Sequence, residues 1–124
     1  MSGAGAFRPS RPALAVLIGL VLALAAAGPW WRQWNEGALG HALAKLARPG
    51  DLRMLSSDGC AICARARQWF DRYEVAFTEC SIERDGDCAA QFRALGAPGT
   101  PVILVRGTPE LGFEPQRLKN RLGG

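Results

Sequence analysis

Residues 52–63 read Leu52-Arg53-Met54-Leu55-Ser56-Ser57-Asp58-Gly59-Cys60-Ala61-Ile62-Cys63. The first four are an apolar-rich run of strand length, and Ser56 to Gly59 is a cluster of turn formers. Beyond it, Ile62, Ala66, Trp69, Phe70 and Tyr73 recur at helical spacing, while Arg65, Gln68, Asp71 and Arg72 point elsewhere. A strand therefore hands over to a helix at the cysteine pair.

That placement suits disulfide exchange, which needs a thiolate rather than a thiol. A cysteine in the first turn of a helix faces unpaired backbone N–H groups and the positive end of the helix dipole, and both stabilise an anion. In such surroundings a thiol of pKa ~8.5 can fall to ~3.5–7.5. Arg65 and Arg67 add positive charge nearby. Cys60 is thus the candidate nucleophile. Cys63, one turn on, is the candidate resolving thiol.

A bare C-x-x-C also serves zinc sites, so the rest of the chain must discriminate. Ala97 to Pro101 is a loop, and Val102-Ile103-Leu104-Val105 is a continuous aliphatic run, as expected of a strand buried on both faces. A proline met just before such a strand predicts a cis Thr100–Pro101 bond. The backbone of Thr100 would then offer an extended substrate an edge to pair with.

The remaining elements follow from local signals. Val75 to Cys80 alternates as a strand does, and Glu83 to Asp87 is a polar loop in which Asp85 or Asp87 can cap the next helix. Cys88, Phe92 and Leu95 share that helix's inner face, and Gly96 can end it. Arg106 to Pro109 turns the chain into a short edge strand around Glu110-Leu111. Pro115 opens a last helix with Leu118 and Leu122 inward and Arg117, Lys119 and Arg121 towards its C-terminus. The order is β-α-β-α-β-β-α, an α/β domain over residues 51–124. Two helices crossing between neighbouring strands predict a partly parallel sheet.

Leu55 to Cys63, Gly99-Thr100-Pro101-Val102 and Gly112-Phe113-Glu114 together resemble the glutaredoxin-like branch of the thioredoxin superfamily. The resemblance runs from Leu52 onward. It implies a thioredoxin-like fold, a mixed sheet flanked by helices, and thiol–disulfide oxidoreductase activity. It implies Cys60 as the attacking residue, Pro101 as the cis-proline beside it, and Thr100, Pro101, Gly112, Phe113 and Glu114 as the substrate-binding set. It implies protein thiols and disulfides as partners and glutathione as a co-substrate, with no bound cofactor and no metal. Three departures stand out. Ala-Ile replaces the usual Pro-Tyr between the cysteines. Ser56, Ser57 and Asp58 stand where a basic residue is usual, and Asp58 would repel a glutathione carboxylate. Gly112-Phe113-Glu114-Pro115 is also similar to the redoxins that reduce ribonucleotide reductase.

Cys80 and Cys88 are open to several readings: two buried small residues, a disulfide closing the Ser81–Asp87 loop, a regulatory thiol, or half of a four-cysteine zinc site of unusual spacing. The alternative function is accordingly a non-catalytic thioredoxin-like or zinc-binding membrane module.

Residues 13–31 are the second organising feature. Ala13 to Ala27 carries no polar side chain, and Gly28, Pro29, Trp30 and Trp31 extend it to the ~20 residues that cross a bilayer core. Trp30, Trp31, Arg32 and Trp34 suit the membrane–water interface. Two readings compete: a cleavable signal peptide, since Ala25-Ala26-Ala27 is a small-residue site, and a buried core helix, for which so small a protein offers little cover. Residues 1–12 form a short basic tail with Arg8 and Arg11, which favours a single-pass protein with its globular part on the exported, periplasmic side. Residues 32–50 read as an amphipathic linker helix with Leu39, Leu43 and Leu46 on one face and His41 exposed to solvent. The net charge of +4 is spread along the chain with no basic run, which gives nucleic-acid binding no support.

Overall fold

The computed structural model describes residues 9–124. Arg8 and the rest of the basic tail before Pro9 lie outside them. The chain divides into two compact units at Asn35–Glu36. One helix, α1 (Arg11–Leu46), includes both the apolar stretch and most of the 32–50 segment, and it continues through Pro29. The side chains of its apolar part are exposed: Val16, Leu22 and Leu24 are 70%, 64% and 65% exposed. The helix is long and apolar enough to cross a membrane, with a mean hydropathy of 2.2 over its best window.

The second unit is a mixed sheet flanked by helices. Its elements are β1 (Leu52–Ser56), α2 (Ala61–Arg72), β2 (Thr78–Ser81), α3 (Gly86–Ala94), β3 (Val102–Val105), β4 (Thr108–Leu111) and α4 (Pro115–Gly123). The strands lie in the order β2-β1-β3-β4. The crossover through α2 makes β1 and β2 parallel, with Leu55 opposite Cys80. The second crossover differs from expectation. α3 joins β2 to β3, which are not neighbours, and β3 runs antiparallel to β1 and to β4. Pro109 falls on the edge strand β4, where its missing N–H costs no central ladder bond.

Strand alternation sorts the core onto two faces. Leu52, Met54, Ile103 and Val105 pack with Ala66 and Phe70 of α2, Leu118 and Leu122 of α4, and Leu43 at the end of α1. Leu55, Val102 and Leu104 point the other way, onto Cys88 and Phe92 of α3. β3 is buried at all four positions, as a central strand covered on both faces must be. The last part of α1 packs on this core through a close approach. Gly40 is buried, and a Cβ added there would clash with the Tyr73 ring. His41, next in sequence, is exposed and meets the Tyr73 ring edge-on at 5.8 Å.

Several local expectations shift. Val75 and Phe77 are core residues of the approach to β2 rather than part of the strand, which begins at Thr78. Ile62 is 44% exposed and Cys63 is the buried member of that turn. Leu95 lies at the C-cap of α3, outside the buried face. Glu110 is a buried carboxylate on β4, opposite Ile103. Arg121 Nε lies 2.6 Å and Arg117 Nη1 3.7 Å from its oxygens, which answers the charge from α4, although Oε1 lies off the N–H axis and accepts no hydrogen bond.

Candidate functional site

The turn after β1 places Cys60 at the N-cap of α2, in extended backbone conformation. Its sulfur accepts the Cys63 N–H at 3.1 Å, so Sγ takes the place that a serine or aspartate oxygen fills at other helix starts. Helix geometry brings the two Cα atoms to 5.2 Å, and Cys60 and Cys63 are joined as a disulfide. Cys60 is half-buried and open to a hollow, whereas Cys63 is fully buried. An incoming thiol or thiolate can therefore reach only the first sulfur.

The loop before β3 closes the other side. The Thr100–Pro101 bond is cis. The Thr100 carbonyl oxygen lies 3.6 Å from Cys60 Sγ, and the Thr100 hydroxyl is hydrogen-bonded to the Ser57 hydroxyl at 2.6 Å. Gly112, in a left-handed conformation (φ 80°), donates its N–H to the Pro101 carbonyl at 2.9 Å and so ties the start of the last connection to the cis-proline. Cys60, Cys63, Thr100 and Pro101 are thus assembled, with Gly112 behind Pro101. Phe113 and Glu114 are placed elsewhere. They line a separate hollow with Glu36, Leu39, Arg65 and Trp69, and the Phe113 ring packs edge-on against Phe70 and Trp69.

Two arginines line the hollow at Cys60, of about 430 Å³, together with Ser57, Asp58 and Gly59. Arg67 projects into it from α2, while Arg65 points into the other hollow. Arg67 makes a two-pronged ion pair with Glu79 of β2, at 2.8 Å from Nε to Oε2 and a second contact from Nη2 to Oε1. This holds the Glu79 carboxyl below its ordinary range and raises Arg67 above its own. Arg84 pairs with Asp58 at 3.0 Å. The Asp58 N–H donates to Glu83, which lowers that carboxyl as well. Local sequence signals gave no hint of Arg84 or Glu79, because their partners come from distant elements.

Cys80 and Cys88 are also joined as a disulfide, with Cα atoms 6.1 Å apart. It fastens β2 to the first turn of α3, where the Asp85 carboxylate accepts the N–H groups of Asp87 and Cys88 at 3.0 and 3.1 Å. Arg53 Nη2 donates to Cys80 Sγ at 3.6 Å. All four sulfurs are therefore held in disulfides. Among the described residues, no group of three or more His, Cys, Asp or Glu is arranged to hold a metal.

The glutaredoxin family model matches residues 52–109. That segment, just under half of the chain, is similar to the glutaredoxins. Solved structures similar to the chain include thioredoxin-like proteins and glutaredoxins. A point mutant of the thioredoxin-like protein BC3987 superposes with a TM-score of 0.51 at 18% identity, over 57% of this chain and 97% of that one. The glutaredoxin of Archaeoglobus fulgidus gives 0.49 at 20% identity, over 60% and 87%. A buckwheat glutaredoxin–glutathione complex gives 0.46 at 24% identity, over 68% and 84%. No curated protein matches the chain significantly. Within the matched segment, Cys60-Ala61-Ile62-Cys63 lies between the end of β1 and the start of α2.

Proposed function

We propose that this protein is a membrane-tethered thiol–disulfide oxidoreductase acting on protein thiols through Cys60 and Cys63. The observation that carries the reading is the position of Cys60. Its sulfur is reachable, caps a helix, and is disulfide-bonded to a buried partner one turn on.

In the reducing direction the dithiol form acts. The Cys60 thiolate attacks one sulfur of a substrate disulfide. A Cys60–substrate bond forms, the substrate S–S bond breaks, and the departing thiolate takes up a proton. Cys63, losing its proton to solvent, then attacks Cys60 Sγ. The second substrate thiol leaves, the Cys60–Cys63 disulfide forms, and two electrons have passed to the substrate. The reverse sequence oxidises a substrate dithiol. The Cys63 N–H, 3.1 Å from Cys60 Sγ, stabilises the attacking anion, and the Thr100–Pro101 backbone offers an extended segment a place beside it.

Residues 13–31 of α1 serve as the anchor, because they form a helix long and apolar enough to span a bilayer and their apolar side chains are exposed. An exported location suits the chain, since the Cys80–Cys88 bond persists in oxidising surroundings. Trapping tests the activity. Cys63→Ser protein should accumulate mixed disulfides on Cys60, and Cys60→Ser protein should exchange none. Normal reduction of a model disulfide by Cys60→Ser would end the proposal.

A further inference from the structure

Charge beside Cys60 is arranged in closed pairs. Both guanidiniums that line the hollow, Arg67 and Arg84, already face carboxylates. Arg67 spends two donors on the two oxygens of Glu79, the strongest geometry an arginine has for a carboxylate. Arg84 lies 3.0 Å from Asp58, two residues before the reactive sulfur. Glu83 then takes the Asp58 N–H at 3.1 Å and the Ser81 hydroxyl at 3.0 Å. Two guanidiniums therefore stand against three carboxylates, Asp58, Glu79 and Glu83.

A small anionic thiol such as glutathione is held in water mainly by its carboxylates, which need cations or N–H donors that are free to turn towards them. Among the described residues lining this hollow, both cations are engaged, and Glu83, bonded to the Asp58 N–H from behind the lining, adds a further negative charge. A polypeptide segment brings a neutral backbone to the Thr100 edge, and basic flanking residues would meet the excess negative charge.

We infer that the hollow at Cys60 selects against carboxylate-bearing small thiols and accepts cysteines on a polypeptide with neutral or basic flanks. The Arg67–Glu79 and Arg84–Asp58 pairs are the specificity determinants, and they act by withholding the two cations. This deepens the exchange reading above and rests on it. The chemistry is unchanged: dithiol protein plus peptide disulfide gives the Cys60–Cys63 disulfide plus two peptide thiols.

The test uses reduced full-length protein in detergent micelles with four oxidants. Three are synthetic peptide disulfides flanked by glycine, lysine or glutamate, and the fourth is glutathione disulfide. Lysine and glycine peptides should react fastest, the glutamate peptide and glutathione disulfide slower, with the spread shrinking as salt is raised. Glu79→Gln with Asp58→Asn should raise the ratio of glutamate-peptide to glycine-peptide rates about fivefold, the size expected of part-exposed charge pairs. Adding Arg67→Gln and Arg84→Gln should cancel that gain, which mere loss of negative charge would not do. Equal rates for glutamate and lysine peptides, or a ratio unmoved by freeing the arginines, would overturn the inference and leave exchange intact. Failure of every peptide to oxidise Cys60–Cys63 would remove the exchange reading and this inference with it.

Discussion

Replacing Gly40 by alanine sets two effects of known size against each other. Alanine is favoured over glycine inside a helix by about 1 kcal/mol. At Gly40, however, the new methyl would fall on three ring carbons of Tyr73. That ring cannot swing away freely, because it packs edge-on against Trp69 with centroids 4.8 Å apart. Forcing an extra carbon into such packing costs about 1–3 kcal/mol, so Gly40→Ala should destabilise the domain by about 1 kcal/mol net. Gly37 provides the control on the same helix. A Cβ there meets nothing within 4 Å, and Gly37→Ala should stabilise by up to about 1 kcal/mol. The two variants should thus differ by about 2 kcal/mol, or roughly 8–16 °C in melting midpoint for a domain of this size. Thermal unfolding of the full-length protein in one detergent measures the difference. Adding Tyr73→Ala should erase the penalty of Gly40→Ala. Equal midpoints for the two alanine variants would refute the close packing of α1 on the domain.

Other outcomes follow from the same contacts. Replacing Cys80 and Cys88 by serine should cost about 2–3 kcal/mol by loop entropy for a separation of 8 residues, read as a lower denaturation midpoint than that of the disulfide-bonded parent. Glu79 has a folded pKa below its ordinary 4.5, so its contribution is present above that value and is lost as pH falls through the folded pKa. Glu79→Gln should accordingly flatten the acid limb of the stability–pH curve, and an unchanged limb would deny the ion pair a role. Ser57→Ala and Thr100→Val each break the 2.6 Å hydroxyl pair and free the Thr100 carbonyl to turn from Cys60. In the Cys63→Ser background each should lower the Cys60 pKa, and the double variant should lower it no further than the larger single effect.

Much of this was legible because it is local. Strand, turn and C-x-x-C, the Asp85 cap, Pro115 at the first turn of α4 and the buried run Val102–Val105 are all written in neighbouring residues. What depends on distant partners was not. Nothing near Val102 says that β3 runs antiparallel beside β1, since direction is set by how the chain returns after α3. Arg67 and Glu79 come from different elements, as do Arg84 and Asp58, so the closed charge pairs appear only once the sheet is assembled. Gly40 reads as a helix weakener in sequence and as a docking notch in the fold, because only the approach of Tyr73 gives its missing side chain a purpose. Phe113 and Glu114 follow Gly112 directly, yet the turn after β4 sends them to a different hollow.

The account stands on the reactivity of one sulfur at the start of α2. In full-length Cys63→Ser protein, with the other pair left oxidised, the rate of Cys60 alkylation should be followed against pH. The helix N-terminus should place the midpoint clearly below the ~8.5 of an ordinary thiol. A midpoint at or above that value would contradict the central claim that Cys60 is an activated nucleophile.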